Sequence, residues 1–122
     1  MRNRIILILV FLLVVVSVTA IDIEECQVLD EEGETYNLQN DVETRETCFE
    51  ITADDVTLDC NGHRMIGPGN GVKSCGIHTG FVDKITITNC EISEFHIGIA
   101  GSSIEENEII NNNLHGNHWG FI

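Results

Sequence analysis

From residue 47 onward the apolar residues fall in short alternating runs. Ile85, Ile87, Cys90 and Ile92 share one side of an extended chain, with Thr86 and Glu91 on the other. Each run is three to five residues long, rich in Ile, Val and Thr, and bounded by Asn, Gly or Ser. Such runs predict short β-strands, none of which could persist as a sheet alone. Helical periodicity appears nowhere after residue 20.

The runs return with a period of 22: Gly76 and Ile77, Gly98 and Ile99, and Gly120 and Phe121 recur at that interval, as do Ile87 and Ile109, Asn89 and Asn111, and His96 and His118. Val56, Thr57 and Leu58 match Ile85, Thr86 and Ile87 at an offset of 29. Two extra residues around Asn61 and Gly62 and five within 67–72 account for the excess, and both lie in Gly-, Asn- or Pro-bearing corners that tolerate insertion. Stacking equivalent strands gives every backbone N–H and C=O a partner in the next coil. The expected fold is therefore an all-β solenoid, three parallel sheets around one apolar column. The last match, Gly120 to Ile122, stops within a coil, so the solenoid is expected to be incomplete at the C-terminus. Asn89, Asn111, Asn112, Asn113 and Asn117 belong to the corners, where Asn accepts left-handed backbone angles and can stack its amide on an Asn one coil away.

The N-terminus changes the compartment. Arg2 and Arg4 precede an unbroken apolar run over residues 5–16, and Ser17 to Ala20 follow, which reads as a secretory signal peptide cleaved before Ile21. An uncleaved anchor is the alternative, and only in that form would the chain touch a membrane; its apolar core is short against the roughly 20 residues of a spanning helix. The mature chain then divides into an acidic lead-in, 21–46, and the coils, 47–122. It keeps four Lys and Arg against all 20 Asp and Glu, a balance of −16. Nucleic acid and anionic lipid are poor partners for that charge.

Five cysteines in an exported chain predict two disulfides and one free thiol. Cys60 and Cys90 both read inward near the same corner of neighbouring coils and are paired on that ground. Cys26 and Cys48 are paired at the N-terminal end, which leaves Cys75 free and buried. Trp119 shares a position with Ile97 and Cys75, and a period-two count places all three inward, in the core.

The stretch TCFEITADDVTLDCNGH over 47–63, followed by the Gly-Ile pairs and by ITITNCEI over 85–92, resembles the right-handed parallel β-helix proteins of archaeal and bacterial envelopes. These include the NosD-like group and modules shared by carbohydrate-binding proteins and sugar hydrolases. The resemblance implies a right-handed solenoid at the cell surface or secreted, and it covers 47–122; residues 26–38 resemble the lead-in that covers the first coil's open end. Related solenoids carry lyases, epimerases, adhesins and stalks, so activity must be argued from a site.

No spacing assembles a catalytic set. Asp55 falls in a column with Lys84 and Glu106, and Asp59 with Thr88 and Ile110; neither column clusters carboxylates, and an Asp beside a Lys suits a cross-strand ion pair. Asp54, Asp55, Asp59 and Asp83 single out no acid and nucleophile for glycoside hydrolysis. The expected function is a non-catalytic surface module binding polysaccharide or another envelope component. One alternative is the N-terminal part of a carbohydrate-active enzyme, a polysaccharide lyase, hydrolase or epimerase whose catalytic residues lie on further coils. The other is copper binding: His96 and His118 are one period apart, His115 is at a nearby corner, imidazoles suit copper or zinc, and the NosD-like resemblance implies copper handling. No other cofactor is expected.

Overall fold

The computed structural model describes residues 19–69, 71–102 and 105–122. The signal-peptide reading falls on residues outside these, apart from Thr19 and Ala20. Among the described residues no helix is long and apolar enough to cross a membrane.

Among the described residues fourteen short strands follow in order: β1 (Ile21–Ile23), β2 (Gln27–Leu29), β3 (Thr35–Leu38), β4 (Val42–Glu43), β5 (Phe49–Ile51), β6 (Thr57–Asp59), β7 (Arg64–Ile66), β8 (Cys75–Thr79), β9 (Thr86–Thr88), β10 (Glu91–Ser93), β11 (Ile97–Gly101), β12 (Glu108–Ile110), β13 (Asn113–His115) and β14 (Trp119–Phe121). They form three parallel sheets, β1-β3-β6-β9-β12, β2-β5-β8-β11-β14 and β4-β7-β10-β13. Strands too short to stand alone are held by the coil above and the coil below. This is the parallel β-helix expected from the repeat.

Register makes the core a set of ladders. On the first sheet Tyr36, Leu58 and Ile87 stack in one column. On the second, Phe49, Ile77 and Ile99 do so. The third contributes Val42, Met65 and Ile92. All nine are buried. The acidic segment 21–46 belongs to this stack: its β1 to β4 enter all three sheets, and Ile23, Leu29, Tyr36, Leu38 and Val42 are buried. Its carboxylates occupy the outward positions.

At the corners the chain must turn without leaving backbone N–H groups unpaired. Left-handed residues make the turns, in columns: Asp55, Lys84 and Glu106 at one corner (φ 59°, 60° and 57°), Asn61, Asn89 and Asn111 at the next (φ 51°, 58° and 58°), and Glu94 and Gly116 at the third (φ 65° and 67°). Asn112 and Asn117 direct their amides to the backbone of the adjoining coil and not to a stacked asparagine. Asn112 Oδ1 accepts the Cys90 N–H at 2.9 Å and its Nδ2 donates to the Ile87 carbonyl at 2.9 Å. Asn117 does the same with the Phe95 N–H and the Ile92 carbonyl, both at 2.9 Å. A backbone group at a corner has no ladder partner and is costly to leave bare, so it takes the side-chain amide. Asp54 and Asp41 accept the Asp83 and Arg64 N–H groups in the same way, each at 2.9 Å.

Two disulfides staple neighbouring coils, Cys26–Cys48 across 22 residues and Cys60–Cys90 across 30. Cys75 is a free thiol, and it is half-buried rather than buried.

Candidate functional site

The corner that leads into the second sheet carries an exposed aromatic cluster, and a separate exposed ring, Phe81, stands in the turn after β8. At this corner the alternation of sides breaks, because Gly76 and Ile77 are both buried, and so are Gly98 and Ile99. A Cβ on Gly76 would lie 2.5 Å from Ile92 Cγ2, which shows that the glycine, not the residue before it, faces the core. Cys75, Ile97 and Trp119, in register on successive coils, are therefore pushed to the outer side. Trp119, expected in the core, takes this outer position by register; it stands on the last described rung, where the inward Phe121 is equally open, 56% against 54% exposed.

His96 and His118 precede Ile97 and Trp119. Backbone bonds lock the two coils there, with His118 N–H donating to the Phe95 carbonyl at 3.1 Å and Trp119 N–H to the His96 carbonyl at 2.8 Å. The imidazoles consequently stack face to face, centroids 5.1 Å apart and planes 6° from parallel. The Trp119 ring meets His118 edge-on at 5.2 Å and 89°. Together they make a firm aromatic ledge, with His118 and Trp119 open to solvent.

His115, grouped with this pair from the sequence, stands on the third sheet, its Nε2 3.1 Å from Glu91 Oε1. Imidazole lone pairs lie in the ring plane, so two parallel stacked rings aim them side by side and not at one point. The structure thus separates His115 from the stacked His96 and His118, and among the described residues no group of three His, Cys, Asp or Glu is placed to hold a metal. The other two histidines face carboxylates, His63 Nδ1 at 3.4 Å from Asp41 and His78 Nδ1 at 3.6 Å from Glu50. Asp41 is the hub of its cluster: the Arg64 backbone N–H holds its carboxyl below the usual carboxylate range, helped by His63 and by the Arg64 guanidinium. Burial pushes the Cys75 thiol up, although the Thr47 hydroxyl opposes the shift.

Lower on the same corner lies a second feature, made by residues that the 22-residue period does not mark. A cleft of about 550 Å³ is lined by Gln27, Thr44, Arg45, Thr47, Glu50 and Lys73, beside the Cys26–Cys48 disulfide. Four residues before the paired strand residues Phe49 and Ile77 stand, respectively, Arg45, in the linker before β5, and Lys73, between the 67–72 insertion and β8. Their scarcity was the available signal, since they are two of only four Lys and Arg after residue 20.

No protein-family model matches the chain, and no similar curated protein or solved structure was found.

Proposed function

We propose that this chain is an exported, non-catalytic β-helix module that binds polysaccharide, with Trp119 as the platform on which a sugar ring stacks. The observation that carries the reading is the exposed indole on the outward corner, braced edge-on by His118. The apolar face of a pyranose suits a flat aromatic surface, and a ring held in place loses little freedom on binding. Two coil-to-coil disulfides suit an oxidising compartment. The resemblance to envelope β-helix modules of carbohydrate-binding proteins supports the same reading.

A glycan array probed with residues 21–122, followed by titration of the best ligand, tests it. Wild type is expected to bind at least one glycan class, and Trp119→Ala to bind about tenfold more weakly, the loss of a stacking contact of about 1.4 kcal/mol. Uniform absence of glycan binding defeats the reading and leaves an envelope protein as the partner to seek. Equal affinity in Trp119→Ala defeats the assignment of the platform.

A further inference from the structure

We propose that the ligand of this corner is an acidic glycan lying along the solenoid axis, with an oxyanion-bearing sugar held by Arg45 and Lys73 and a neutral ring face on Trp119. The inference rests on the reading of Trp119 given above and adds the ligand's charge and direction. Its starting point is the placement of cations. In a mature chain of balance −16, four Lys and Arg remain. The Arg64 Nε is 3.6 Å from Asp41, and Lys84 sits in a left-handed turn at another corner. The other two converge on the one cleft, from segments 28 residues apart in sequence, and neither makes an ion pair among the described residues. Both are exposed. Glu50, on the cleft wall, has His78 as its partner at 3.6 Å; Glu46 also lines the cleft and keeps it from being a general polyanion sink.

Cleft and ledge are collinear. The register runs Gln27, Phe49, Ile77, Ile99, Phe121 up the second sheet. The corner beside it carries Thr47, whose hydroxyl accepts the Cys75 N–H at 3.2 Å, then Cys75, Ile97 and Trp119. Lys73 precedes Cys75 and Arg45 precedes Thr47, so the cations enter two and three rungs below Trp119, about 10 and 14 Å at ~4.8 Å per rung. That length takes about two or three sugar residues in a row. Between the two ends lie half-buried Cys75 and Ile97, an apolar strip with the Glu50 carboxylate, partnered by His78, at its lower edge. A carboxylate or sulfate at the lower end gains charge-assisted hydrogen bonds from a guanidinium and an ammonium. Elsewhere the acidic surface repels it, so a polyanion is admitted only in this register.

Calorimetric titration in EDTA, which removes calcium bridging, tests the inference with three probes: a galacturonate hexasaccharide, the same oligosaccharide fully methyl-esterified, and a sulfated galactan oligosaccharide. One of the two acidic probes is expected to bind about tenfold or more tightly than the methyl ester, and which one does so identifies the oxyanion. Arg45→Gln with Lys73→Gln is expected to abolish that preference while leaving the circular dichroism spectrum unchanged, since both side chains are exposed and unpaired. If the methyl ester binds as tightly as the acidic probes, or the preference survives the double substitution, the acidic-ligand inference is overturned. Loss of methyl-ester binding in Trp119→Ala would then still uphold the platform. Absence of binding by all three probes overturns the inference, and the array result decides the platform separately.

Discussion

Replacing Gly98 with valine is expected to destabilise the protein by about 3 kcal/mol, at the upper end of the usual cost of overpacking. A Cβ at this position would lie 2.6 Å from the Gly120 carbonyl oxygen, 2.8 Å from Leu114 Cδ2 and 3.1 Å from Asn117 Nδ2. A leucine methyl can swing away. The carbonyl cannot, because it belongs to the backbone of the adjoining coil, and Asn117 is fixed by its two backbone bonds to the coil beneath. The strain therefore falls on the stacking of coils. For a domain of this size a loss of that order lowers the melting temperature by roughly 12–24 °C. Gly120→Val supplies the matched control, at the same place in the coil with nothing within 4 Å of its added Cβ. It is expected to melt within a few degrees of wild type. Equal melting of the two variants would show that the corner is not built as described.

The second large effect concerns the disulfides. Removing Cys60–Cys90 by double alanine substitution opens a closure of 30 residues, and removing Cys26–Cys48 opens one of 22. Chain entropy assigns each about 3.5 kcal/mol and makes them differ by only about 0.3 kcal/mol. Packing separates them. Cys60 and Cys90 are both in the core, whereas Cys26 is half-exposed, so the Cys60→Ala with Cys90→Ala variant also loses buried sulfur contacts. Guanidinium unfolding should therefore rank it as the less stable of the two. The reverse order would place the Cys60–Cys90 bridge outside the apolar column.

The stacking was legible because register leaves a period that insertions cannot hide. Ile87 and Ile109 lie 22 apart and pair directly, and Leu58 pairs with Ile87 across the insertion that makes their separation 29. The inward positions Ile85, Ile87, Cys90 and Ile92 followed from alternation and are buried. Alternation failed at Trp119, where two consecutive residues face inward because a glycine takes the inner side of the bend. A glycine preceding an apolar residue at every repeat was the sign of such a bend, but a period-two count steps over it.

The lead-in was obscured by composition. Its own members obey the same period, Leu29 with Ile51 and Tyr36 with Leu58, each 22 apart. Their neighbours are mostly acidic, however, and Thr35 with Thr57 and Cys26 with Cys48 are isolated identities at that offset. The stacked histidines were legible in spacing, since the rings sit one rung apart at 5.1 Å, but not in orientation, which the backbone bonds of Phe95 and His96 set. The Arg45 and Lys73 cleft was hidden for another reason: the two cations lie in loops 28 residues apart, off the 22-residue period, and the later coils carry Phe95 and Asn117 at the same place.

Trp119 is the single tryptophan, so its fluorescence reports on the corner alone. The most direct test is acrylamide quenching of that emission, measured with and without the glycan selected by the array. The outward ledge predicts strong quenching in the free protein and marked protection on saturation with glycan. Emission that resists quenching in the folded, free protein would put the indole in the core and contradict the account.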